Sequence, residues 1–167
     1  TLLTFGQSDS VYLLKETDEM SGKTYTFCSR SFVVANTEKK IGFRVDAFIR
    51  EDISFGFVTV TMVGIGNCNE NDEIIILFEN GERIVEKSWK KFNCDGEAYF
   101  YLDESGLELL RTSPMSKIRM TNGRTYDSYT GDVKLKDRRY FIQLFYALDN
   151  KIVTEIKKQF SEHRNKN

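Results

Sequence analysis

The sequence predicts an α+β fold that is mostly antiparallel β, and three observations predict it. Asn-Gly stands between runs of β-forming residues at two places in the chain, as in tight hairpins. Runs between the turns alternate apolar and polar residues, as half-buried strands do. The last third of the chain repeats apolar residues at steps of three and four, as amphipathic helices do. We expect hairpins that form a sandwich or a partly open barrel, with a short helix near 103–111 and a C-terminal amphipathic helix near 137–160.

Three hairpins are expected along the chain. The first is centred on Ser21-Gly22 and joins Val11–Leu14 to Tyr25–Cys28. The other two are centred on Asn80-Gly81 and Asn122-Gly123. Both are predicted to be two-residue type I′ turns, because both central residues of such a turn need positive φ.

Two longer strands are expected between the first and second hairpins. Lys40–Ile49 places its apolar residues on one face, which predicts a half-buried strand. Phe55–Ile65 is apolar on both faces and rich in β-branched residues, which predicts a central strand. Gly64 and Gly66 then lead into Asn67–Asp72, whose Asn, Asp and Glu content predicts a loop.

Both helices have recognisable ends. Asp103 is predicted to cap the short helix, which should stop before Pro114. Asp137 lies near the start of the second helix. Its apolar stripe comprises Tyr140, Phe141, Leu144, Phe145, Leu148, Ile152 and Ile156, and the cations near its end are Lys157, Lys158 and Arg164. We expect one β-rich domain over residues 8–160 and a polar tail over 161–167.

Charge is distributed unevenly along the chain. The net charge is -1, but residues 1–110 carry a net -8 and residues 111–167 a net +7. This pattern suits either a basic face for an acidic partner, or two regions that face each other or are solvated. Because the cations are dispersed, the second interpretation is favoured and nucleic acid is not the expected partner. No apolar run reaches the 18 residues of a membrane span, so no transmembrane segment is expected.

Common catalytic and metal-binding motifs are missing from the sequence. The only histidine is His163, in the polar tail, which argues against a Ser/His or Cys/His mechanism. The cysteines show no Cys-x-x-Cys spacing, so a Cys/His zinc site is not expected. Gly64-Ile65-Gly66 lacks the third glycine and the Lys-Ser/Thr of phosphate-binding loops. We therefore predict no catalytic residue, no cofactor and no metal site.

The spacing of the cysteines suggests one disulfide. A two-residue turn at Asn80-Gly81 would set residues whose numbers sum to 161 opposite each other, which brings Cys68 within one residue of Cys94. A loop at 66–72 would disturb that register. The alternative is that Cys28, Cys68 and Cys94 are three buried thiols.

Aromatic side chains are the remaining candidates for a binding face. These candidates are Trp89, Tyr99, Tyr101, Tyr126 and Tyr129. Such side chains offer a large contact area with a polar tip. The alternative is that they cover the core or stack across strands.

The first residues differ from those that follow. Thr1–Gln7 is short and apolar, and polar residues follow it directly. It reads as the end of an export signal peptide, and the Phe5-Gly6-Gln7 ending resembles the ends of many export signals in Bacteroidetes. The alternative is an ordinary first strand or a frayed terminus.

A resemblance extends over about residues 72–148. Its motifs are Asp72–Gly81, Tyr99–Leu102, Leu107–Leu110, Lys117–Asp127 and Tyr140–Leu148. In this order they resemble small exported proteins of Bacteroidetes that have no assigned function. The resemblance implies a β-rich fold with a closing helix and a compartment outside the cytoplasm, but no activity and no catalytic residue.

These observations favour an exported, non-enzymatic binding or structural module in the periplasm or outside the cell. Its partner would be a protein or a surface ligand of unknown identity. The alternative is an intracellular protein-binding protein, of an immunity or regulatory kind, in the cytoplasm. A small enzyme and a nucleic-acid binder are less favoured.

Overall fold

A computed structural model describes residues 10–49, 55–66, 68–89 and 92–156. Its elements, in chain order, are β1 (Leu13–Thr17), β2 (Thr24–Cys28), β3 (Phe32–Asn36), β4 (Ile41–Ile49), β5 (Phe55–Val63), β6 (Glu73–Phe78), β7 (Arg83–Lys87), β8 (Glu97–Phe100), α1 (Glu104–Thr112), β9 (Met115–Thr121), β10 (Ser128–Asp132), a 3-10 turn (Leu135–Asp137), α2 (Tyr140–Asp149) and β11 (Val153–Ile156). The predictions for residues 1–7 and 161–167, and those for Lys157, Lys158, His163 and Arg164, lie outside the described residues.

The described strands form three open sheets. Their strand orders are β11-β1-β2, β10-β9-β6-β7 and β3-β4-β5-β8. All strand pairs in these sheets are antiparallel except β1 with β11, which is parallel. The predicted mostly antiparallel α+β class is therefore confirmed, and β5 lies inside its sheet as a central strand should. β10 contacts β3 and β4, so the second and third sheets adjoin.

One hydrophobic core is shared by the three sheets and α2. Every second side chain of a strand enters this core. In β6, Ile74, Ile76 and Phe78 are buried while their neighbours are partly exposed. From α2 the buried side chains include Tyr140, Phe141, Leu144, Phe145 and Leu148. The apolar stripe predicted for this helix therefore does face the sheets.

The short helix α1 begins as predicted. The Asp103 side chain accepts a hydrogen bond from the Gly106 N–H at 2.7 Å and another from the Ser105 hydroxyl at 2.9 Å. These two bonds lower the pKa of the Asp103 carboxyl. The helix ends at Thr112, just before Pro114.

The C-terminal helix is present, but it is shorter than the predicted 137–160. α2 ends at Asp149, and Lys151 turns the chain with φ of 50°. Val153–Ile156 then forms β11, which pairs in parallel with β1. Ile152 and Ile156 therefore do not belong to the helical stripe. The prediction of a helix to residue 160 was wrong because the β-branched residues after Asp149 pair with the edge of β1. The hydrogen bonds of this pairing replace those of further helical turns.

The turns of the two Asn-Gly hairpins also differ from the prediction. Between β6 and β7, the Gly81 N–H bonds the Phe78 carbonyl at 3.1 Å, and positive φ falls on Gly81 alone, at 87°. This is a three-residue turn with glycine in the left-handed position, not a type I′ turn. Ile76 consequently pairs with Ile84, so paired numbers sum to 160 rather than 161.

The second Asn-Gly pair stands at the start of a longer loop. The Tyr126 N–H bonds the Asn122 carbonyl at 3.0 Å, and the positive φ, 62°, falls on Tyr126. The type I′ prediction was therefore wrong here too. The hairpin of β1 and β2 uses the same arrangement, because the Gly22 N–H bonds the Asp18 carbonyl at 2.7 Å and Gly22 has φ of 67°.

Ion pairs connect the acidic first part of the chain with the basic last part. Arg124 pairs with Glu70 at 3.0 Å, and Arg138 pairs with Glu79 at 2.7 Å. Arg30 reaches Asp137 at 2.6 Å in a largely buried pair. Across the described ranges, no helix has both the length and the apolar character that crossing a bilayer requires.

Candidate functional site

A short antiparallel bridge holds two loops together at one end of the molecule. Asn69 and Asn93 exchange backbone hydrogen bonds of 2.7 and 3.1 Å. Cys68 and Cys94, next to this bridge, are joined in a disulfide. The pair is the one that the cysteine spacing suggested. Its register is not the expected one, since the bridge sets Asn69 opposite Asn93, so that Cys68 and Cys94 come directly opposite each other.

A buried polar network lies beneath this bridge. The Asp72 carboxylate accepts the Asn69 side-chain amide at 2.9 Å and the Gly123 N–H at 2.8 Å. The Asp72 N–H donates to the Ser88 hydroxyl at 2.8 Å. The Asn122 amide donates to the Cys68 carbonyl at 2.8 Å. Because buried polar groups are costly unless bonded, these contacts fix the positions of three loops relative to one another.

A cleft of about 220 Å³ opens above the network. Its lining residues are Asn69, Ser88, Trp89, Asn93, Asp95, Glu97, Ala98 and Tyr99. They come from three segments of the chain: the loop before β6, the stretch after β7, and β8 with the turn that precedes it. The lining combines aromatic faces with amide and carboxylate groups, which is the composition of a binding site rather than of a packing defect.

Strand pairing places the aromatic side chains of the cleft. The Trp89 N–H donates to the Tyr99 carbonyl at 3.0 Å, so the chain after β7 runs beside β8. Glu97 and Tyr99 share one face of β8, while Ala98 and Phe100 on the other face are buried in the core. Tyr101 follows just beyond the strand and remains 52% exposed.

The Trp89 ring packs against both tyrosines. Its ring stacks on Tyr101 with centroids 5.5 Å apart and planes 11° apart, and it lies 6.0 Å from the Tyr99 ring. Tyr101 lies outside the cleft lining, so it supports Trp89 from behind. Trp89 keeps 44% of its surface exposed. A large aromatic surface is therefore presented at the cleft in a defined orientation.

Tyr99 and Glu97 form a hydrogen-bonded pair in the cleft wall. The Tyr99 hydroxyl donates to Glu97 Oε2 at 2.6 Å. This bond, together with partial burial and the nearby charges of Glu97 and Asp95, raises the pKa of Tyr99 to about 12. Tyr99 is therefore neutral at physiological pH and serves as a fixed donor to a carboxylate.

Asn69 presents an acceptor to the cleft. Only 3% of this residue is exposed. Its side-chain nitrogen must point to the Asp72 carboxylate, which can only accept, so the amide orientation is determined. No described residue donates a hydrogen bond to its Oδ1. This carbonyl oxygen is the acceptor that the cleft wall offers to a ligand.

The structure brings together three of the five aromatic candidates. Trp89, Tyr99 and Tyr101 form one cluster, whereas Tyr129 lies edge-on to Phe43 at 6.1 Å and covers the core. Tyr126 stands on its own turn and is 80% exposed. The polar lining was not foreseen: these residues are Asn69, Ser88, Asn93, Asp95 and Glu97. Only Glu97 carried a usable pattern, since it lies two residues before Tyr99 and so shares its face of β8.

A second concavity lies on the outer face of β3, β4 and β5. It measures about 360 Å³, and its lining includes Val33, Ile41, Phe43 and Val63. Lys40, Arg44 and Thr61 also line this groove, but its accessible surface is mostly apolar, whereas polar groups make up a larger share of the cleft surface. The cleft therefore carries the more specific chemistry.

In the described part of the chain, no three His, Cys, Asp or Glu side chains lie close enough together to bind a metal ion.

Comparison with known proteins found no matching family model, no matching curated protein and no matching solved structure. The site must therefore be interpreted from its own geometry.

Proposed function

We propose that this chain is an exported, non-enzymatic binding module and that its ligand site is the cleft beside Trp89. The observation that carries the proposal is the exposed Trp89 ring, which lies beside fixed hydrogen-bonding groups in a concave site. The bridge between Asn69 and Asn93 and the adjoining disulfide hold both sides of the cleft in place. A site of this kind binds with little loss of conformational entropy, because its side chains are already positioned.

The groups in the cleft suit binding better than catalysis. The Ser88 hydroxyl accepts the Asp72 N–H and lies 3.4 Å from the Trp89 carbonyl, so it is committed to the backbone. Among the described lining residues there is no histidine and no thiol to act as a base or a nucleophile. Glu97 is engaged by the Tyr99 hydroxyl. The hydrogen bonds in the cleft therefore support a fixed surface for recognition.

Two features support export. A disulfide between Cys68 and Cys94 suits an oxidising compartment, since cytosolic thiols are kept reduced. The apolar Thr1–Gln7 segment reads as part of an export signal. Intact-mass analysis of the protein from its native host tests both features. Three free thiols together with an uncleaved apolar start would overturn the assignment to an exported protein.

The cleft contains its own reporter, because Trp89 is the only tryptophan in the chain. Its emission should change when a ligand enters. We would titrate the oxidised full chain with three classes of compound: basic, neutral polyhydroxyl and acidic. Binding found by fluorescence would be repeated by calorimetry with Trp89→Ala, which should abolish it, and with Tyr146→Ala on α2 as the exposed control. No response to any class would contradict the proposal.

The alternative, an intracellular protein-binding protein, rests on the charge distribution. The pairs Arg124–Glu70 and Arg138–Glu79 use part of that distribution inside the molecule. These ion pairs leave fewer charges to attract a partner protein, so they favour the exported binding module over the alternative. A salt-sensitive complex with a cytoplasmic protein, unaffected by Trp89→Ala, would favour the alternative instead.

A further inference from the structure

The chemistry of the cleft indicates which ligand class it accepts, an inference that rests on the function proposed above. Three side-chain donors at its wall are engaged within the protein. The Asn93 amide donates to the Glu97 carbonyl at 3.0 Å, the Asn69 amide donates to Asp72, and the Tyr99 hydroxyl donates to Glu97. The acceptors that remain for a ligand are Asn69 Oδ1, the Asp95 carboxylate and the Glu97 oxygen that Tyr99 does not engage. A ligand that satisfies them must bring hydrogen-bond donors.

The described lining of the cleft carries negative charge. Asp95 and Glu97 are its charged lining residues, and no Lys or Arg stands among the described residues of the lining. Arg124, a described cation of a nearby loop, is engaged by Glu70 and lies over the Phe92 ring at 4.8 Å. The hydrogen bond to Glu97, and after it the charges of Glu97 and Asp95, raise the pKa of Tyr99, in keeping with two carboxylates at the cleft wall. These two carboxylates disfavour an anionic ligand.

The aromatic wall adds a second preference. The face of an indole ring carries partial negative charge and attracts cations, more strongly than Tyr or Phe does. Tyr101 stacks behind Trp89 and holds the ring in position. A planar cation is favoured in particular, since a guanidinium group stacks on aromatic rings and donates to carboxylates with its edge.

We propose that the cleft binds a guanidinium or primary ammonium group, which lies against Trp89 and donates to Asn69 Oδ1 and to the carboxylates of Asp95 and Glu97. The volume of about 220 Å³ suits one side-chain-sized group rather than an extended chain. The cation belongs either to a small free amine or to a basic side chain displayed by a protein. A neutral sugar fits less well, because its hydroxyls need donors as well as acceptors.

The test compares two ligands of nearly the same shape. N-acetylarginine amide carries a guanidinium, and N-acetylcitrulline amide carries a neutral urea in its place. Trp89 emission is followed while the oxidised full chain is titrated with each. We expect the arginine derivative to bind at least about tenfold more tightly, since charge-assisted hydrogen bonds are the stronger kind. Added salt should weaken its binding. Equal affinities for the two compounds would overturn the proposal.

Variants test the carboxylates separately. Glu97→Gln keeps an oxygen for the Tyr99 hydroxyl but removes the charge, and Asp95→Asn removes the charge of an exposed lining residue. Each should weaken binding of the arginine derivative by about tenfold. Glu82→Gln, in the turn between β6 and β7, is the matched control and should change nothing. Affinities unchanged in both cleft variants would contradict the proposed contacts.

Further titrations separate this inference from the function it rests on. Agmatine represents a free amine, and a short arginine peptide represents a displayed side chain. Tighter binding of either than of its citrulline or uncharged counterpart supports the inference and identifies the source of the cation. A response to neutral oligosaccharides alone would overturn the cationic ligand while the binding module stands. If no compound changes the Trp89 emission, both the cationic ligand and the binding module would be overturned.

Discussion

Asn69 and Asn93 lie opposite each other and exchange two backbone hydrogen bonds, although neither belongs to a named strand. This contact places Cys68 beside Cys94 and brings the loop before β6 against the turn before β8. The side chains of both asparagines then line the cleft. A single bridge between two loops thus determines the shape of the candidate site.

Removing the disulfide should lower the free energy of unfolding. The two cysteines are 26 residues apart, and cross-links of this length stabilise by about 3 kcal/mol. We expect a loss of that size for the double variant Cys68→Ser, Cys94→Ser in urea unfolding followed by circular dichroism. Cys28→Ser is the control for a cysteine substitution as such, since Cys28 is a free thiol and takes no part in the bridge. A double variant as stable as the oxidised protein would contradict the prediction.

The carboxylate of Asp72 should matter more than its neighbours. Asp72→Ala leaves the Gly123 N–H and the Asn69 amide without their acceptor in a buried place. Such losses cost about 2–4 kcal/mol in total. Urea unfolding measures the change, and Glu70→Gln, an exposed acid of the same loop, should cost well under about 1 kcal/mol. Similar effects of the two substitutions would show that the buried network contributes little.

Gly123 and Gly81 should differ in their tolerance of a methyl group. A Cβ at Gly123 would lie 2.1 Å from the Glu70 carbonyl oxygen and 2.4 Å from that of Asn71. The backbone must move, so Gly123→Ala is expected to cost about 3 kcal/mol. Gly81 has open space around it but a positive φ, so Gly81→Ala should cost about 1 kcal/mol. Thermal unfolding of both variants gives the order, and the reverse order would count against the close approach at Gly123.

Tyr99 should ionise at a higher pH than an exposed tyrosine does. Its pKa of about 12 lies above the ordinary value of 10, so the folded protein retains a proton that the unfolded chain releases. This contribution to stability is complete below pH 10 and is lost as the pH rises towards 12. Ultraviolet titration should show that Glu97→Gln lowers the pKa, because the charged acceptor is gone. A Tyr99 that titrates like the exposed tyrosines in the wild type would refute the bond to Glu97.

Tyr126 occupies a backbone conformation that suits glycine. Its φ is 62°, and the corresponding position of the first hairpin is Gly22 at 67°. Because Tyr126 is largely exposed, Tyr126→Gly should remove strain with little loss of packing and stabilise the fold by about 1 kcal/mol. Gly22→Ala should destabilise by a similar amount. Thermal unfolding of the two variants checks the opposite signs, and a destabilised Tyr126→Gly would point to contacts made by the tyrosine ring.

Much of the local structure was accessible from the sequence. Alternation identified β4, the hairpin signal at Asn80-Gly81 identified β6, β-branched composition identified β5, and the Asp103 cap identified the start of α1. These features depend on neighbours a few residues away, which a sequence pattern records directly. The turn types did not follow, because glycine at Gly123 serves a close approach of another loop rather than a positive φ.

The candidate site was only partly accessible, for a related reason. Trp89, Tyr99 and Tyr101 were recognisable as large aromatic residues that could form a binding face. Asn69 and Asp95 stand in loops, and nothing in their surroundings along the chain marks them as lining residues. Their role arises from contacts between segments that are far apart in sequence, whose formation depends on the whole fold.

The sequence by itself determined the antiparallel class, the positions of most strands, the start of α1 and the apolar face of α2. Each of these follows from side-chain periodicity or capping within one segment. Only the tertiary structure decided that the chain after Asp149 becomes β11 beside β1, and that three loops meet to form a cleft. Local preferences amount to tenths of a kcal/mol per residue, so pairing with a distant strand and burial of shared polar groups override them.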